Sequence, residues 1–155
     1  MPIGSVNCIR EGMLGNELVN IAPAAGGHQP IGYRIALRNQ FFHGSRPLGW
    51  IRRLSVTMDG VTSPEEDIRF ALREHVFPIE QVRQTSEIWW QPRELAYLMV
   101  RLPGGAAPGP HEVSCHLEVS SFVFTPFVDR NDLYPAIAVE LTRTLTTDND
   151  GTALR

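Results

Sequence analysis

Histidine and cysteine are the residues of this chain with the widest chemical repertoire, because they serve as metal ligands, general bases and nucleophiles. The sequence contains five histidines and two cysteines: His28, His43, His75, His111, His116, Cys8 and Cys115. They form no HExxH motif, no CxxC pair and no set at zinc-ligand spacing, and no serine has the glycine neighbours of a hydrolase nucleophile. The sequence therefore predicts neither catalytic residues nor a metal site in this chain.

The remaining polar candidates have simple structural interpretations. His111 and His116 differ in parity along one alternating segment, so in a strand they point to opposite faces and cannot share a metal. Cys115 falls on the inward parity of that segment, as a small core residue does. The acids of residues 65–67 follow Ser63-Pro64, which is typical of a solvated helix start.

Aromatic residues beside arginines suggest a binding role. They occur in RNQFFHGSRPLGW, residues 38–50, and in the pair at 89–90, both in predicted connections between strands. Converging aromatics and arginine have the composition of an interface core. Phe41 and Trp50 could instead plug the open ends of the fold, and composition alone favours neither. The candidate interface or substrate-proximal residues are Phe41, Phe42, His43, Arg46, Pro47, Trp50, Trp89 and Trp90.

The elements that must position these residues are strands. The chain has 155 residues, 43% of them apolar and 20% charged, which suits one globular domain. Its 13 glycines and 12 prolines favour many short elements joined by turns. A net charge of −3 without a block of like charges argues against nucleic acid or membrane partners. No basic leader with an apolar run is seen, so we expect a soluble, cytoplasmic protein.

Alternation of apolar and polar residues predicts the strands. They cover residues 14–19, 33–38, 51–59, 68–73, 76–79, 95–101, 111–125 and 136–146. Asp59-Gly60 predicts a hairpin turn, and 80–85 a loop or helical turn. The pattern predicts an all-β, immunoglobulin-like β-sandwich of about seven to eight strands, with a closed barrel as the alternative. The predicted divisions are an irregular N-terminal arm (1–30), the sandwich (31–146) and a polar tail (147–155).

An ordered set of short motifs resembles one known family. The motifs are Tyr33-Arg34, Asn39-Gln40-Phe41-Phe42-His43-Gly44, Arg46-Pro47-Leu48, Val56-Thr57-Met58-Asp59-Gly60, Glu66-Asp67-Ile68-Arg69-Phe70, Trp89 or Trp90, Leu102-Pro103-Gly104-Gly105 and Gly109-Pro110-His111-Glu112-Val113. Together they span residues 31–125 and resemble the small (β) subunit of bacterial C-glycoside deglycosidases. These two-chain enzymes cut the carbon–carbon bond between a sugar and an aromatic aglycone such as a flavonoid.

The resemblance implies a non-catalytic β-sandwich chain bound to a TIM-barrel alpha subunit of the sugar phosphate isomerase/epimerase type. That partner holds a divalent metal, manganese, and acts on a 3-oxo-C-glycoside. The ketone at C3 acidifies the C2 proton, a base removes it, the metal stabilises the enolate, and the aglycone leaves C1 by β-elimination. This chain then needs no cofactor of its own.

Within this resemblance, RNQFFHGSRPLGW is predicted to be a docking loop. Phe41, Phe42 and Pro47 would pack against the alpha subunit, with His43 or Arg46 near the aglycone end of its pocket. Trp89, Trp90 and the connection 103–110 are further contact candidates, because one loop is too small for an obligate interface. Two alternatives stay open: a stand-alone module that binds a carbohydrate or an aromatic ligand, and a structural partner of another sugar-modifying enzyme.

Overall fold

Short alternating segments form nearly all of the regular structure. The computed structural model describes residues 13–23, 27, 29–39, 46–120 and 136–147. Its strands are β1 (Leu14–Ile21), β2 (Gly32–Arg38), β3 (Arg46–Pro47), β4 (Ile51–Met58), β5 (Val61–Ser63), β6 (Ile68–Leu72), β7 (His75–Pro78), β8 (Trp89–Trp90), β9 (Leu95–Arg101), β10 (Gly109–Ser120) and β11 (Ala136–Thr147). One short helix, α1 (Ile79–Arg83), and 3-10 turns at Leu48–Trp50 and Glu65–Asp67 complete the described elements.

Five strands form the first sheet, in the order β1-β2-β9-β6-β7, with every pair antiparallel. The central strand β9 pairs with β2 on one side and with β6 on the other, so Leu98 lies opposite both Ile35 and Phe70. Strand β7 is an edge strand, where the missing N–H of Pro78 costs no ladder hydrogen bond.

The second sheet has the order β11-β10-β4-β5. Strands β4 and β5 form a hairpin through Asp59 and Gly60, whose φ angles are 51° and 85°. Two consecutive positive φ angles define a tight turn whose twist matches the strands, which is why Asp-Gly is favoured there. The predicted hairpin turn is confirmed.

The two sheets bury their inward-facing side chains against each other in a single apolar core. Phe70 and Leu98 come from the five-stranded sheet, and Leu54, Cys115 and Leu117 from the four-stranded sheet. On the side where β1 and β11 meet, Arg143 Nη1 donates to the carbonyl of Leu14 at 2.7 Å. The predicted all-β sandwich is confirmed, and the sheets are separate instead of closing into one barrel.

Two predicted boundaries fall within the sandwich of the structure. Strand β1 pairs with β2 inside the five-stranded sheet, so the sandwich begins before residue 31 and the predicted arm contributes a strand. At the other end, the predicted tail began at Thr147, which is the last, buried residue of β11. The end of the predicted strand 111–125 and residues 148–155 lie outside the described residues. In the part of the chain that the structure describes, no helix is long and apolar enough to cross a membrane.

A buried asparagine ties the glycine-rich connection after β9 to β1. The Asn20 side-chain amide donates to the Ala106 carbonyl at 2.9 Å, and its Oδ1 accepts from the Ala106 N–H at 2.8 Å. Gly105 passes so close that a Cβ atom there would lie 2.6 Å from Asn20 Oδ1. The reciprocal pair of hydrogen bonds therefore requires a glycine at this position.

Candidate functional site

The described candidate aromatics, Trp50, Trp89 and Trp90, lie in or next to a small ribbon at one corner of the sandwich. Strands β3 and β8 pair antiparallel, with Arg46 opposite Trp90 and Pro47 opposite Trp89. Pro47 is buried, and Trp89 remains 44% exposed. Successive side chains of a strand point to opposite faces, so the adjacent tryptophans lie on opposite sides of this ribbon.

Trp90 is a core residue. It is 0% exposed, its ring meets Phe70 edge to face at 5.5 Å, and its indole N–H donates to the Glu94 carbonyl at 2.8 Å. An edge-to-face contact and a satisfied N–H are what a buried tryptophan requires. The prediction that Trp90 is an exposed interface aromatic is therefore wrong, because strand parity turns it into the sandwich when Trp89 faces out.

Trp50 and Trp89 form one aromatic pair at this corner. Their ring centroids are 6.5 Å apart with the planes inclined at 48°, and Trp50 is half-buried. The 3-10 turn that carries Trp50 is fixed by two backbone hydrogen bonds, from Leu48 to Ile88 at 2.9 Å and from Gly49 to Thr85 at 2.7 Å. The pair thus leaves Trp89 exposed and Trp50 half-buried on a turn whose backbone is held by hydrogen bonds.

Asn39 fixes the beginning of the aromatic loop. Its buried side-chain amide donates to the carbonyls of Trp90 at 2.8 Å and Gln91 at 3.1 Å. Its backbone N–H donates to Glu94, and its carbonyl accepts from Arg93. Because Arg46 pairs with Trp90 in the ribbon, both ends of the loop 40–45 are attached to the same tryptophan backbone. Phe41, Phe42 and His43 themselves lie outside the described residues, as does the side chain of Arg46.

A salt bridge between Arg73 and Glu94 lies next to the backbone of the exposed Trp89. Arg73 Nε lies 2.7 Å from Glu94 Oε2, and Arg73 Nη2 donates to the Trp89 carbonyl at 2.8 Å. Glu94 Oε1 also accepts from the N–H of Gln91 at 2.9 Å. Sequence reasoning missed Asn39, Arg73 and Glu94 as positioning residues, since each acts across a distance in sequence that no local motif reveals.

In two of the described histidines, His111 and His116, both ring nitrogens lie within hydrogen-bonding distance of an acceptor oxygen. His111 contacts Asp59 Oδ2 and the Ala107 carbonyl, each at 2.6 Å. Burial alone would lower its pKa, but the hydrogen bonds to Ala107 and Asp59 outweigh burial and raise it. Two acceptors require two N–H donors, so this geometry selects the imidazolium.

His116 lies on the opposite side of β10, as its parity predicted. Its Nε2 is 2.8 Å from Glu118 Oε2 and its Nδ1 is 2.7 Å from Glu140 Oε1. Hydrogen bonds to Glu118 and then Glu140 raise the pKa of His116. Within the ranges given above, no three His, Cys, Asp or Glu side chains are grouped to hold a metal ion.

Cys115 is the small core residue that its parity predicted. It is a free cysteine with 0% exposure. Burial, as the larger cause, and the negative charge of Glu140, as the smaller one, raise the pKa of its thiol to about 12. A thiol with such a pKa carries almost no thiolate at neutral pH. Cys115 is therefore not a nucleophile.

The fold and this corner define a β-sandwich protein that displays the Trp50–Trp89 pair beside Asn39, which bonds to Trp90, and Arg46, which pairs with Trp90. A family model described as "C-glycoside deglycosidase beta subunit" matches residues 15–121, and the chain belongs to that family. The C-glycoside deglycosidase beta subunit of Arthrobacter globiformis is 30% identical over 73 residues, which are 47% of this chain and 56% of that relative. The aligned region thus spans a little over half of the relative's length.

Proposed function

We propose that this chain is the accessory, non-catalytic subunit of a C-glycoside deglycosidase. Its partner is a TIM-barrel alpha subunit of the sugar phosphate isomerase/epimerase type, which carries the catalytic groups and a divalent metal, manganese. The assembled pair cleaves the carbon–carbon bond of 3-oxo-C-glycosides that have flavonoid or other aromatic aglycones, by β-elimination. Membership of the beta subunit family is the observation that carries this proposal.

The aromatic corner supports a binding role. An exposed Trp89 against Trp50 offers the kind of aromatic surface that is enriched at interface cores. Asn39 and the β3/β8 ribbon hold both ends of the loop that bears Phe41 and Phe42. A loop with fixed ends loses less conformational entropy when a partner binds it than a loop with free ends.

Three titratable groups that the structure describes, His111, His116 and Cys115, are engaged or buried, which fits a reaction carried out by the partner. His111 and His116 have both ring nitrogens engaged, so neither offers a free nitrogen as a general base. Cys115 is sealed in the core. The divalent metal would supply charge stabilisation in the partner's pocket, while this chain's part is to hold the partner and complete the aglycone end of the site.

The test uses both chains. We expect the pair to co-purify and to release free aglycone from a 3-oxo-C-glycoside, to lose this activity with a chelator and to regain it with manganese. This chain alone should release none. Phe41→Ser/Phe42→Ser should leave it folded but unable to co-purify with the partner. Turnover by this chain alone would refute the proposal, and co-purification of the double variant would refute the docking loop.

One observation favours a second candidate, a module that binds a carbohydrate or an aromatic ligand by itself. A tilted pair such as Trp50 and Trp89 is a surface on which a sugar or aromatic ring could stack. With Trp90 in the core, that surface is smaller than the tandem tryptophans predicted. Calorimetric binding of a glycoside to this chain alone, abolished by Trp89→Ala, would support the module over the subunit.

A further inference from the structure

The outer faces of the two sheets differ in their chemistry. On the four-stranded sheet, most outward positions are polar, and among the described residues their charges are paired except that of Glu112. Arg53 Nε lies 3.3 Å from Glu118, His116 lies between Glu118 and Glu140, and Ser114 bonds Thr142 at 2.9 Å. Such a surface is satisfied in water.

The outer face of the five-stranded sheet is apolar and carries arginines. We call the outward positions of β2, β9 and β6 the arginine face. Strand register places there Gly32, Arg34, Ala36, Arg38, Leu95, Tyr97, Met99, Arg101, Arg69 and Ala71. None of these ten positions is acidic; at one end of the face, Glu66 and Asp67 line a cavity together with Arg69 and Arg101, and at the other end Glu94 precedes Leu95 and pairs with Arg73. The central part of the face is therefore positive in a chain of net charge −3.

The guanidinium groups of this face have no carboxylate partner in the described part of the chain. Arg38 Nη1 donates to the Arg93 carbonyl at 2.6 Å, and Arg69 Nη1 to backbone carbonyls. Arg34 stacks over Tyr97 at 4.3 Å, and its buried Nε has no hydrogen-bond partner. Guanidinium groups recognise carboxylates by paired hydrogen bonds, so four of them among apolar side chains match an acidic, partly apolar surface.

We infer that the arginine face is a contact surface for the partner subunit, and that the partner meets it with an apolar patch bearing carboxylates. This inference rests on the proposed function and names the surface that assembly uses. Three strands about 4.8 Å apart and about 20 Å long give the arginine face an area of about 300 Å². A standard interface needs about 800 Å² per partner, so a neighbouring surface must add to it. Arg38 ends β2 and is the first residue of the predicted docking loop, so the arginine face adjoins that loop.

The sequence allows a direct test by carbodiimide coupling, because all 14 cationic residues are arginine and the chain contains no lysine. Arg69→Lys and Arg101→Lys each place one side-chain amine on the arginine face. Arg53→Lys is the matched control on the other sheet, where Arg53 is 73% exposed and faces Glu118. The coupling reagent joins amines to carboxylates in contact, and mass spectrometry of the complete pair identifies the joined peptides.

We expect positions 69 and 101 to couple to carboxylates of the partner in addition to the neighbouring Glu66 and Asp67. Position 53 should couple only within this chain, to Glu118 or Glu65, which proves that the reagent acted. The inference is overturned if the pair forms but positions 69 and 101 do not couple to the partner, or couple to a second copy of this chain. If the wild-type chains do not associate at all, the proposed function fails and takes the inference with it.

Charge reversal gives an independent measurement. Arg69→Glu/Arg101→Glu should weaken binding of the partner about tenfold or more at low ionic strength, and the loss should shrink at about 1 M salt because surface charges are screened. Arg53→Glu should change the affinity less than about twofold. Equal effects of the two variants would overturn the inference. Arg69 and Arg101 are exposed, so their replacement should leave the fold intact. An unchanged unfolding midpoint of the double variant checks this.

Discussion

The side-chain amide of Asn39 donates to the carbonyl of Trp90 at 2.8 Å, joining residues 51 positions apart in the chain. Asn39 precedes the loop 40–45, and Arg46, which follows the loop, pairs with the same tryptophan. One buried residue in the core thus positions both ends of the segment proposed to bind the partner. Trp90 therefore contributes both to the stability of the chain and to the proposed binding of the partner. Single substitutions around it can measure the two effects separately.

Replacing Asn39 by alanine should lower the free energy of unfolding by about 1–3 kcal/mol, because the buried Trp90 carbonyl and the Gln91 carbonyl both lose their side-chain donor. Denaturant titration measures this change. Asn16→Ala, at an exposed position of β1, is the matched control and should stay within about 0.5 kcal/mol of the wild type. Equal effects at the two positions would contradict the assigned role of Asn39.

The adjacent tryptophans should respond in opposite ways to the same substitution. Trp90→Ala leaves a cavity beside Phe70 and should cost about 3–5 kcal/mol of stability. Trp89→Ala removes an exposed ring, so it should cost less than about 1 kcal/mol while reducing affinity for the partner. Denaturant unfolding and titration of the pair are the two measurements. A stable Trp90→Ala variant would show that the ring is not packed as described.

The His116 cluster should make stability depend on pH in a defined direction. Its pKa is raised in the folded chain, so the folded state binds the proton more tightly than the unfolded state, whose histidine pKa is about 6.5. The contribution is complete below about pH 6.5 and is lost as pH rises through the raised folded pKa. His116→Gln should therefore show a smaller fall in unfolding midpoint between about pH 6 and pH 8 than the wild type.

The Cys115 thiol should be silent in the native chain. In a Cys8→Ser background, a disulfide exchange reagent should modify Cys115 at least about a hundredfold more slowly before unfolding than in denaturant, because burial raises its pKa to about 12 and blocks access. Absorbance of the released thiolate follows the reaction. Rapid labelling of the folded chain would contradict the packing of β10 in the core.

Two neighbouring glycines test the Asn20 clamp. Gly104→Ala meets open space and should cost only the strain of its positive φ of 87°, about 1–2 kcal/mol. Gly105→Ala should cost more, since its Cβ would collide with Asn20 and break the reciprocal bonds to Ala106. Thermal unfolding ranks the two variants. Equal midpoints would show that Asn20 does not hold this connection.

The sequence by itself determined most of the strands, because an apolar-polar period of two is a local property that survives in any antiparallel sheet with one covered face. Leu54, Val56 and Cys115 are inward as their parity predicts, and the Asp59-Gly60 turn follows from local backbone preference. The ordered motifs also indicated the family, which the match over residues 15–121 confirms.

Only the tertiary structure decided which of two adjacent tryptophans is buried, because parity says that they oppose each other and not which side faces the core. It also decided that β9 lies between β2 and β6, which brings Arg34, Tyr97 and Arg69 onto one face from strands that are far apart in the chain. The hydrogen bonds of Asn20 and Asn39 connect residues separated by 86 and 51 positions. Such contacts depend on how the sheets stack and how the connections close, and a local sequence pattern predicts neither of these.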